Sequence, residues 1–166
     1  MVSAIVRHWS TYLNGSQVDE SSFKKELDQA IQNVQASSGK APPAAIAITD
    51  AKSAREDIQG TFGLVPTFFK MFPDSGIAGA WKEMKGVQLN PKSAIPGKCK
   101  ELIGLAVAAQ IPCRYCVAFH TNVSGKLHGA TDAEIQETLA LAGIVRHWSR
   151  FLNGMQTDKG LHFAER

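Results

Sequence analysis

The chain has 166 residues, of which 44% are hydrophobic and 20% are charged. This composition is typical of a globular domain with an apolar core. The 18 basic and 15 acidic residues give a net charge of +3 and form no basic run, which argues against a nucleic-acid partner. No stretch resembles a membrane span or a secretion signal, so we expect no membrane association and a cytoplasmic location.

The first predicted helix covers about residues 3–15 and belongs to an internal repeat, whose second copy predicts a helix over about 142–154. Residues 5–19 and 144–158 are identical at 11 of 15 positions. Each copy places an isoleucine, a tryptophan and a further aromatic residue on one helix face and then reaches an Asn-Gly pair, which is typical of a helix end.

The repeat has two interpretations. In the first, the two helices dock the faces that carry Trp9 and Trp148 on equivalent grooves, within or between subunits. In the second, His8 and His147 line a site. The sequence leaves both open, and two copies are too few for a solenoid.

The segments that follow the first copy also carry helical patterns. An apolar stripe runs over 23–34, and a Gly- and Pro-rich loop is predicted over 37–45. Ser53 and Glu56 have the spacing of a capping box, which predicts a helix start near Ser53. Two shorter helices are predicted over 67–72 and 77–89.

The second half of the chain contains the strongest helical signals. The segment 98–110 is apolar nearly all round, which predicts a central helix. Pro112 suits the first turn of the next helix, which is expected to end at Gly129. Thr131 and Glu134 form another capping box, which opens a helix that leads towards the second copy of the repeat.

These elements predict an all-α fold. No pair of alternating segments joined by a tight turn indicates a hairpin. We expect a bundle of about six to eight helices in a single domain that covers residues 1–166.

The three cysteines are the first indication of chemistry. They are too few for a secreted disulfide scaffold, and a close pair in a reducing compartment is usually catalytic or metal-binding. Cys113, Cys116 and His120 are spaced i, i+3 and i+7, which places them on one helix face. Side chains three apart on a helix are about 5–6 Å apart, so this pair could close and reopen a disulfide. Cys99 is expected to be buried and inert.

Three features would favour the reactive thiolate. Cys113 lies in the predicted first turn, where the helix dipole stabilises an anion, and Arg114 adds positive charge nearby. His120 is a candidate base for Cys116. Glu101 stands alone on a mostly apolar helix, where a carboxylate needs a partner, and His120 on the adjacent antiparallel helix could be that partner.

Zinc is the main alternative for the same residues. Cys113, Cys116 and His120 could supply three ligands and either Cys99 or His128 a fourth. However, structural zinc pairs usually come from turns, and no second Cys or His pair completes the set. We therefore predict neither a metal nor another cofactor.

The segment 98–143 closely resembles the core of the carboxymuconolactone decarboxylase superfamily. Within that superfamily, it resembles the alkylhydroperoxidase D (AhpD)-like branch. The pattern of that branch is a glutamate, a Cys-x-x-Cys twelve residues later and a histidine four residues after the second cysteine. It is met by Glu101, Cys113, Cys116 and His120. The stretch 62–73 also resembles AhpD-like proteins. Some of those proteins carry an additional histidine before the second cysteine, where this chain has Tyr115.

The resemblance implies an all-helical fold that assembles as a dimer, trimer or hexamer, and a hydroperoxide-reducing activity. By this resemblance Cys116 attacks the peroxide, Cys113 resolves the sulfenic acid as a disulfide, and Glu101 with His120 forms the proton relay. It also implies a dithiol reductant, which in one branch is a lipoyl-bearing protein.

The leading functional hypothesis is thus a thiol peroxidase or thiol–disulfide oxidoreductase in antioxidant defence. The alternatives are a cofactor-free decarboxylase of a lactone acid, and a metal-binding or structural module. A decarboxylase would need acid/base groups and a cationic anchor for the substrate carboxylate rather than two thiols.

Overall fold

The computed structural model describes residues 1–40 and 45–155 and is all-α over these residues, as the sequence predicts. The helices in chain order are α1 (Val2–Ser16), α2 (Glu20–Ser37), α3 (Ala51–Phe62), α4 (Thr67–Lys70), α5 (Asp74–Glu83), α6 (Gly97–Gln110), α7 (Arg114–His128) and α8 (Asp132–Gly154). A π-helical turn, Met84–Gln88, continues α5. The prolines of the predicted loop over 37–45 and the last three residues of the repeat lie outside the described residues.

The first copy of the repeat is part of the core. Helix α1 buries Ile5, Val6, Trp9 and Leu13 on one face and packs against α6, α7 and the π-helical turn. The Trp9 ring meets the rings of Phe68, Phe69 and Phe72, among others, at centroid distances of 5.1–5.8 Å. The expected docking of this copy is therefore confirmed.

The start of α3 differs from the prediction. The capping box joins Asp50 and Ser53 rather than Ser53 and Glu56, because Asp50 is the N-cap and Ser53 occupies the third helical position. The Asp50 carboxylate accepts from the Ser53 backbone, and the Ser53 hydroxyl accepts from the Asp50 backbone. The predicted box placed the cap three residues too late.

Helix α6 is central, as predicted, and packs against α7, α8 and α1. Its buried face carries Lys100 and Glu101 along with Gly104, Leu105 and Ala108. Cys99 is exposed, so the expectation that it is buried is wrong. The helix turns Lys100 and Glu101 inward, and the residue before them consequently faces out.

Helix α7 begins two residues later than Pro112, with Cys113 as its N-cap, so Pro112 does not occupy the first turn. The helix ends at Gly129 in the left-handed conformation (φ 64°), as predicted. The capping box of Thr131 and Glu134 that opens α8 is also confirmed.

The second copy of the repeat behaves differently from the first. The first half of α8 packs against α6, where Ala142 is buried, but the second half extends from the body. The Trp148 side chain is 53% exposed, and its ring meets His147 and Phe151 of the same helix. Docking of this copy within the chain is thus wrong for the described residues. No helix in the described ranges is both long and apolar enough to cross a membrane.

Candidate active site

The two cysteines of the Cys-x-x-Cys pair lie side by side at the start of α7. Their sulfurs are 2.9 Å apart, and the Cys116 backbone N–H donates to Cys113 Sγ at 3.3 Å. Both thiols are reduced and buried, with exposures of 0% for Cys113 and 4% for Cys116. A disulfide bond is about 2.05 Å long, so a movement of roughly 1 Å would allow the pair to close.

The hydrogen bonds make the two thiols unequal. Hydrogen bonding from the Cys116 thiol lowers the pKa of Cys113 to about 6, against the opposing effect of burial, and the Cys116 backbone N–H assists. The same contact raises the pKa of Cys116, because its thiol is the donor and burial disfavours its thiolate. At neutral pH the pair therefore shares one proton between its two sulfurs and carries one negative charge.

Helix α1 supplies a further polar group, which the sequence analysis missed. Ser10 is fully buried, and its hydroxyl donates to Cys116 Sγ at 3.2 Å. This donor favours negative charge on the sulfur pair. Ser10 is 106 residues from Cys116 in sequence, and no motif links them. One signal was present, because Ser10 belongs to the segment IVRHWS that both copies of the repeat share.

The histidines of the repeat do not line this site. His8 is exposed and its ring packs against Trp9 and Phe72 at the surface, and His147 is exposed on α8. The interpretation that these two histidines form a site is not supported. It is the serine two residues after His8 that reaches the thiols.

Glu101 and His120 form the contact expected from the sequence. The Glu101 Oε2 atom lies 2.7 Å from His120 Nδ1, and both side chains are at least 95% buried. The other carboxylate oxygen accepts a hydrogen bond from Gln88 at 3.2 Å. Because a carboxylate accepts, Nδ1 is the donor, and Nε2 of the neutral ring is then left to accept a proton.

The position of the His120 ring depends on a glycine in α6. A Cβ atom at Gly104 would lie 2.6 Å from His120 Nδ1 and 2.7 Å from Nε2, closer than side chains approach. Because Gly104 has no side chain, the His120 imidazole can pack directly against the backbone of α6. The neighbouring Lys100 is also buried, and its ammonium donates to two backbone oxygens and to Ser93.

Arg114 and Tyr115 point away from the sulfurs. The Arg114 guanidinium pairs with Glu20 at 3.1 Å, so it does not supply the charge expected beside Cys113. Tyr115 is buried against Phe23, and its hydroxyl donates to the Val18 backbone at 2.6 Å. Where some AhpD-like proteins have a histidine, this chain thus has an anchor for the connection between α1 and α2.

Two cavities adjoin the site. A small one of about 30 Å³ is lined by Cys116 and His120, among others, but not by Cys113. A larger one of about 780 Å³ reaches Glu101 from the other side. Gln88 and Phe119 line both, so these two side chains separate the larger cavity from the one at Cys116.

The arrangement of the suggested zinc ligands does not support the zinc hypothesis. In the part of the chain that the structure describes, no three His, Cys, Asp or Glu side chains are grouped so that they could hold a metal ion. Of the two suggested fourth ligands, Cys99 is exposed on α6. The other, His128, has its ring against Gly97, where a Cβ atom would lie 2.8 Å from Nδ1.

Comparison with known protein families agrees with the resemblance drawn from the sequence. Residues 76–157, about half of the chain, match the model of the carboxymuconolactone decarboxylase family. The chain belongs to this family. The matched segment contains Glu101, both cysteines of the pair and His120. No curated protein and no solved structure matches the chain.

The carboxymuconolactone decarboxylase family includes AhpD peroxidases as well as decarboxylases, so membership alone does not name the reaction. Helix α1 lies outside the matched residues. The donor Ser10 therefore comes from a part of the chain that the family match does not cover.

Proposed function

We propose that this carboxymuconolactone decarboxylase family member is a thiol-dependent hydroperoxide reductase of the AhpD-like branch, acting in antioxidant defence. The observation that carries the proposal is the buried pair of sulfurs 2.9 Å apart, of which Cys116 shares a cavity with His120. Glu101 fixes the imidazole from behind at 2.7 Å.

In the first step Cys116 attacks the peroxide. Its proton passes to the free nitrogen of His120, and the thiolate sulfur forms a bond with the terminal oxygen of the hydroperoxide. The O–O bond breaks, the leaving alkoxide takes the proton from His120, and Cys116 becomes a sulfenic acid. The small cavity at Cys116, about 30 Å³, has room for the peroxide group, while a larger substituent would need Phe119 or Gln88 to move.

In the second step Cys113 resolves the sulfenic acid. The reduced pair, in which the pKa of Cys113 is about 6, holds one proton at neutral pH. The first step removes that proton through Cys116, so Cys113 is left as the thiolate and needs no further base. The Cys113 sulfur attacks the Cys116 sulfur, an S–S bond forms, and the S–O bond breaks to release water after protonation. A low pKa also makes Cys113 the better leaving group when an external dithiol attacks Cys116.

A dithiol donor completes the cycle. It supplies two electrons and two protons and leaves as its own disulfide, which restores both thiols. A lipoyl-bearing protein, as in one AhpD-like branch, is the donor that we propose, and the reducing conditions of the cytoplasm fit its regeneration.

The decarboxylase alternative is less well supported. It needs a cation to hold a substrate carboxylate, and the buried cation beside Glu101 is Lys100, whose ammonium is already held by three oxygen atoms. Activity that survived complete alkylation of the thiols would favour that alternative.

The two cysteines of the pair can be tested separately by substitution. In the presence of a dithiol, Cys116→Ser should abolish peroxide consumption, whereas Cys113→Ser should form a sulfenic acid that a dimedone-type reagent traps. Cys99→Ser is the matched control, because this exposed thiol lies outside the site. Wild-type turnover in both pair variants would contradict the proposal.

A further inference from the structure

The cavity at Cys116 has room only for very small molecules. Its volume is about 30 Å³, and a cavity needs about 10–15 Å³ to hold one water molecule. It therefore holds one or two water-sized groups. Cys116 and His120 line this cavity and are each 4% exposed, so the Cys116 sulfur has almost no direct access to solvent.

The larger cavity, of about 780 Å³, has room for an organic group. Cavities that bind small organic ligands have volumes of about 300–1,000 Å³. Apolar side chains of α2, Leu27 and Ile31 among them, line one part of this cavity. Ser38 and Pro91, which also line it, are exposed and place its mouth at the surface. A bulky apolar molecule can thus enter this cavity, but Cys116 does not line it.

Phe119 forms part of the wall between the two cavities. Its ring lines both, and Phe119 follows Cys116 by about one turn on the same side of α7. The ring packs edge-on against the His120 ring, with centroids 5.2 Å apart. The other residues that line the small cavity belong to the core and are at most 9% exposed, whereas Phe119 is partly exposed. Phe119 is therefore the part of this wall that can be cut back without disrupting the core.

Gln88 is the second residue that lines both cavities, but a hydrogen bond holds it in place. Its amide donates to Glu101 Oε1 at 3.2 Å, and the residue is 4% exposed. Displacement of Gln88 would leave buried polar groups without partners, which is unfavourable. The Phe119 ring forms no such bond, so the volume of the ring determines what can pass from the larger cavity to Cys116.

We infer that Phe119 makes the site selective for hydrogen peroxide over hydroperoxides with a bulky organic group, an inference that rests on the proposed peroxidase function. Hydrogen peroxide has two heavy atoms and fits beside Cys116. Cumene hydroperoxide carries a phenyl ring and two methyl groups, which a cavity of about 30 Å³ cannot hold. Its organic group can occupy the larger cavity, but Phe119 then keeps the peroxide oxygens from the sulfur.

With hydrogen peroxide the first step of the cycle releases water. The Cys116 sulfur bonds to one OH group and becomes a sulfenic acid, and the O–O bond breaks. The second OH group takes the proton that His120 received from the thiol and leaves as water. The sulfur gives up two electrons, which reduce the peroxide.

The selectivity can be tested by comparing kcat/KM for hydrogen peroxide and for cumene hydroperoxide, with dithiothreitol as the reductant. We expect the wild type to prefer hydrogen peroxide. Phe119→Ala should reduce this preference about 10-fold or more, because removal of the ring joins the two cavities. Phe62→Ala is the matched control. Phe62 lines the larger cavity but not the small one, so its truncation should leave the preference unchanged.

Access to Cys116 can also be measured without a peroxide. In a Cys99→Ser background, iodoacetamide serves as a small thiol reagent and N-benzylmaleimide as a bulky one. Trypsin cleavage after Arg114 places the two remaining cysteines on separate peptides, so mass spectrometry reports Cys116 alone. We expect Phe119→Ala to accelerate the reaction of Cys116 with the maleimide about 10-fold or more relative to its reaction with iodoacetamide.

Circular dichroism establishes that each variant is folded, and Phe119→Leu, which lacks the ring, replaces Phe119→Ala if the alanine variant does not fold. Equal use of both peroxides by the wild type, or an unchanged preference in a folded Phe119 variant, would overturn the inference. A shift of the same size in Phe62→Ala would also overturn it. If the wild type turned over neither peroxide, the proposed function would be contradicted, and the alkylation rates would still show whether Phe119 limits access to Cys116.

Discussion

Helix α1 and the second half of α8 are nearly the same sequence in two environments. Both present a histidine and tryptophan in edge contact, with ring centroids 5.4 Å apart in α1 and 5.3 Å apart in α8. Trp9 is 7% exposed and surrounded by phenylalanines, whereas Trp148 is 53% exposed. The local helix geometry is the same, and only the presence of packing neighbours differs.

This comparison separates what a segment specifies from what its surroundings specify. The periodicity of the repeat determines that both copies are helical and that each has an apolar face. It does not determine what covers that face. The apolar face of α1 is covered by α6, α7 and the π-helical turn. This packing also places Ser10 against the sulfur of Cys116.

The largest expected difference between the copies is in the two tryptophans. Trp9→Ala should lower the free energy of unfolding by about 3–5 kcal/mol, because it empties a large volume in the aromatic cluster. Trp148→Ala should change it by no more than about 0.5 kcal/mol, because the side chain is exposed in the isolated chain. Denaturant unfolding at a protein concentration too low for association measures both. An equal decrease in the free energy of unfolding in both variants would contradict a buried Trp9 and an exposed Trp148.

The two serines give a second and smaller difference. Ser10→Ala removes the hydroxyl that donates to Cys116 and should cost about 1 kcal/mol of stability. Because the lost donor favours the charged form, it should also raise the pKa of the thiol pair. The rate of thiol alkylation against pH, which in the wild type should rise with a midpoint near the Cys113 pKa of about 6, should then shift to higher pH.

Ser149→Ala is the control for this change, since Ser149 is the equivalent residue on the exposed half of α8. It should leave the alkylation profile and the stability as they are. If Ser10→Ala also left the profile unchanged, α1 would have no part in tuning the thiols.

The smallest difference concerns the aromatic residue that follows the tryptophan by three positions. The Tyr12 hydroxyl donates to the Phe68 backbone oxygen at 3.2 Å, and α8 has Phe151 at this position. Tyr12→Phe should lower the free energy of unfolding by about 0.5–1 kcal/mol, and Phe151→Tyr should leave it nearly unchanged. Thermal unfolding of the two variants side by side would measure this difference in stability. A larger effect in α8 would be inconsistent with its exposure.

Much of the candidate site could be predicted from the sequence because its parts are close together in the chain. The spacing of Cys113 and Cys116 ensures that their sulfurs are near each other once α7 forms. A carboxylate that stands alone on an apolar helix needs a polar partner, so the sequence predicts the contact between Glu101 and His120. Their contact is confirmed, while their roles in catalysis stay predictions.

The remaining features depend on tertiary packing, which local patterns do not encode. Ser10 reaches Cys116 only because α1 docks beside α7, and Cys99 is exposed because α6 turns its two charged neighbours inward. The exposure of Trp148 is the clearest case. Eleven of fifteen identical positions favour similar docking of both copies as one interpretation of the repeat, but within the described residues only the first copy has its tryptophan buried.

We propose that Cys113 and Cys116 cycle through a disulfide and that Cys99 takes no part in the cycle. A count of free thiols in the denatured chain, before and after one equivalent of hydroperoxide, tests this cycle. We expect a fall from three thiols to one, with Cys99 remaining, and full recovery on addition of a dithiol. Three thiols remaining after peroxide treatment, or the loss of Cys99 alone, would contradict it.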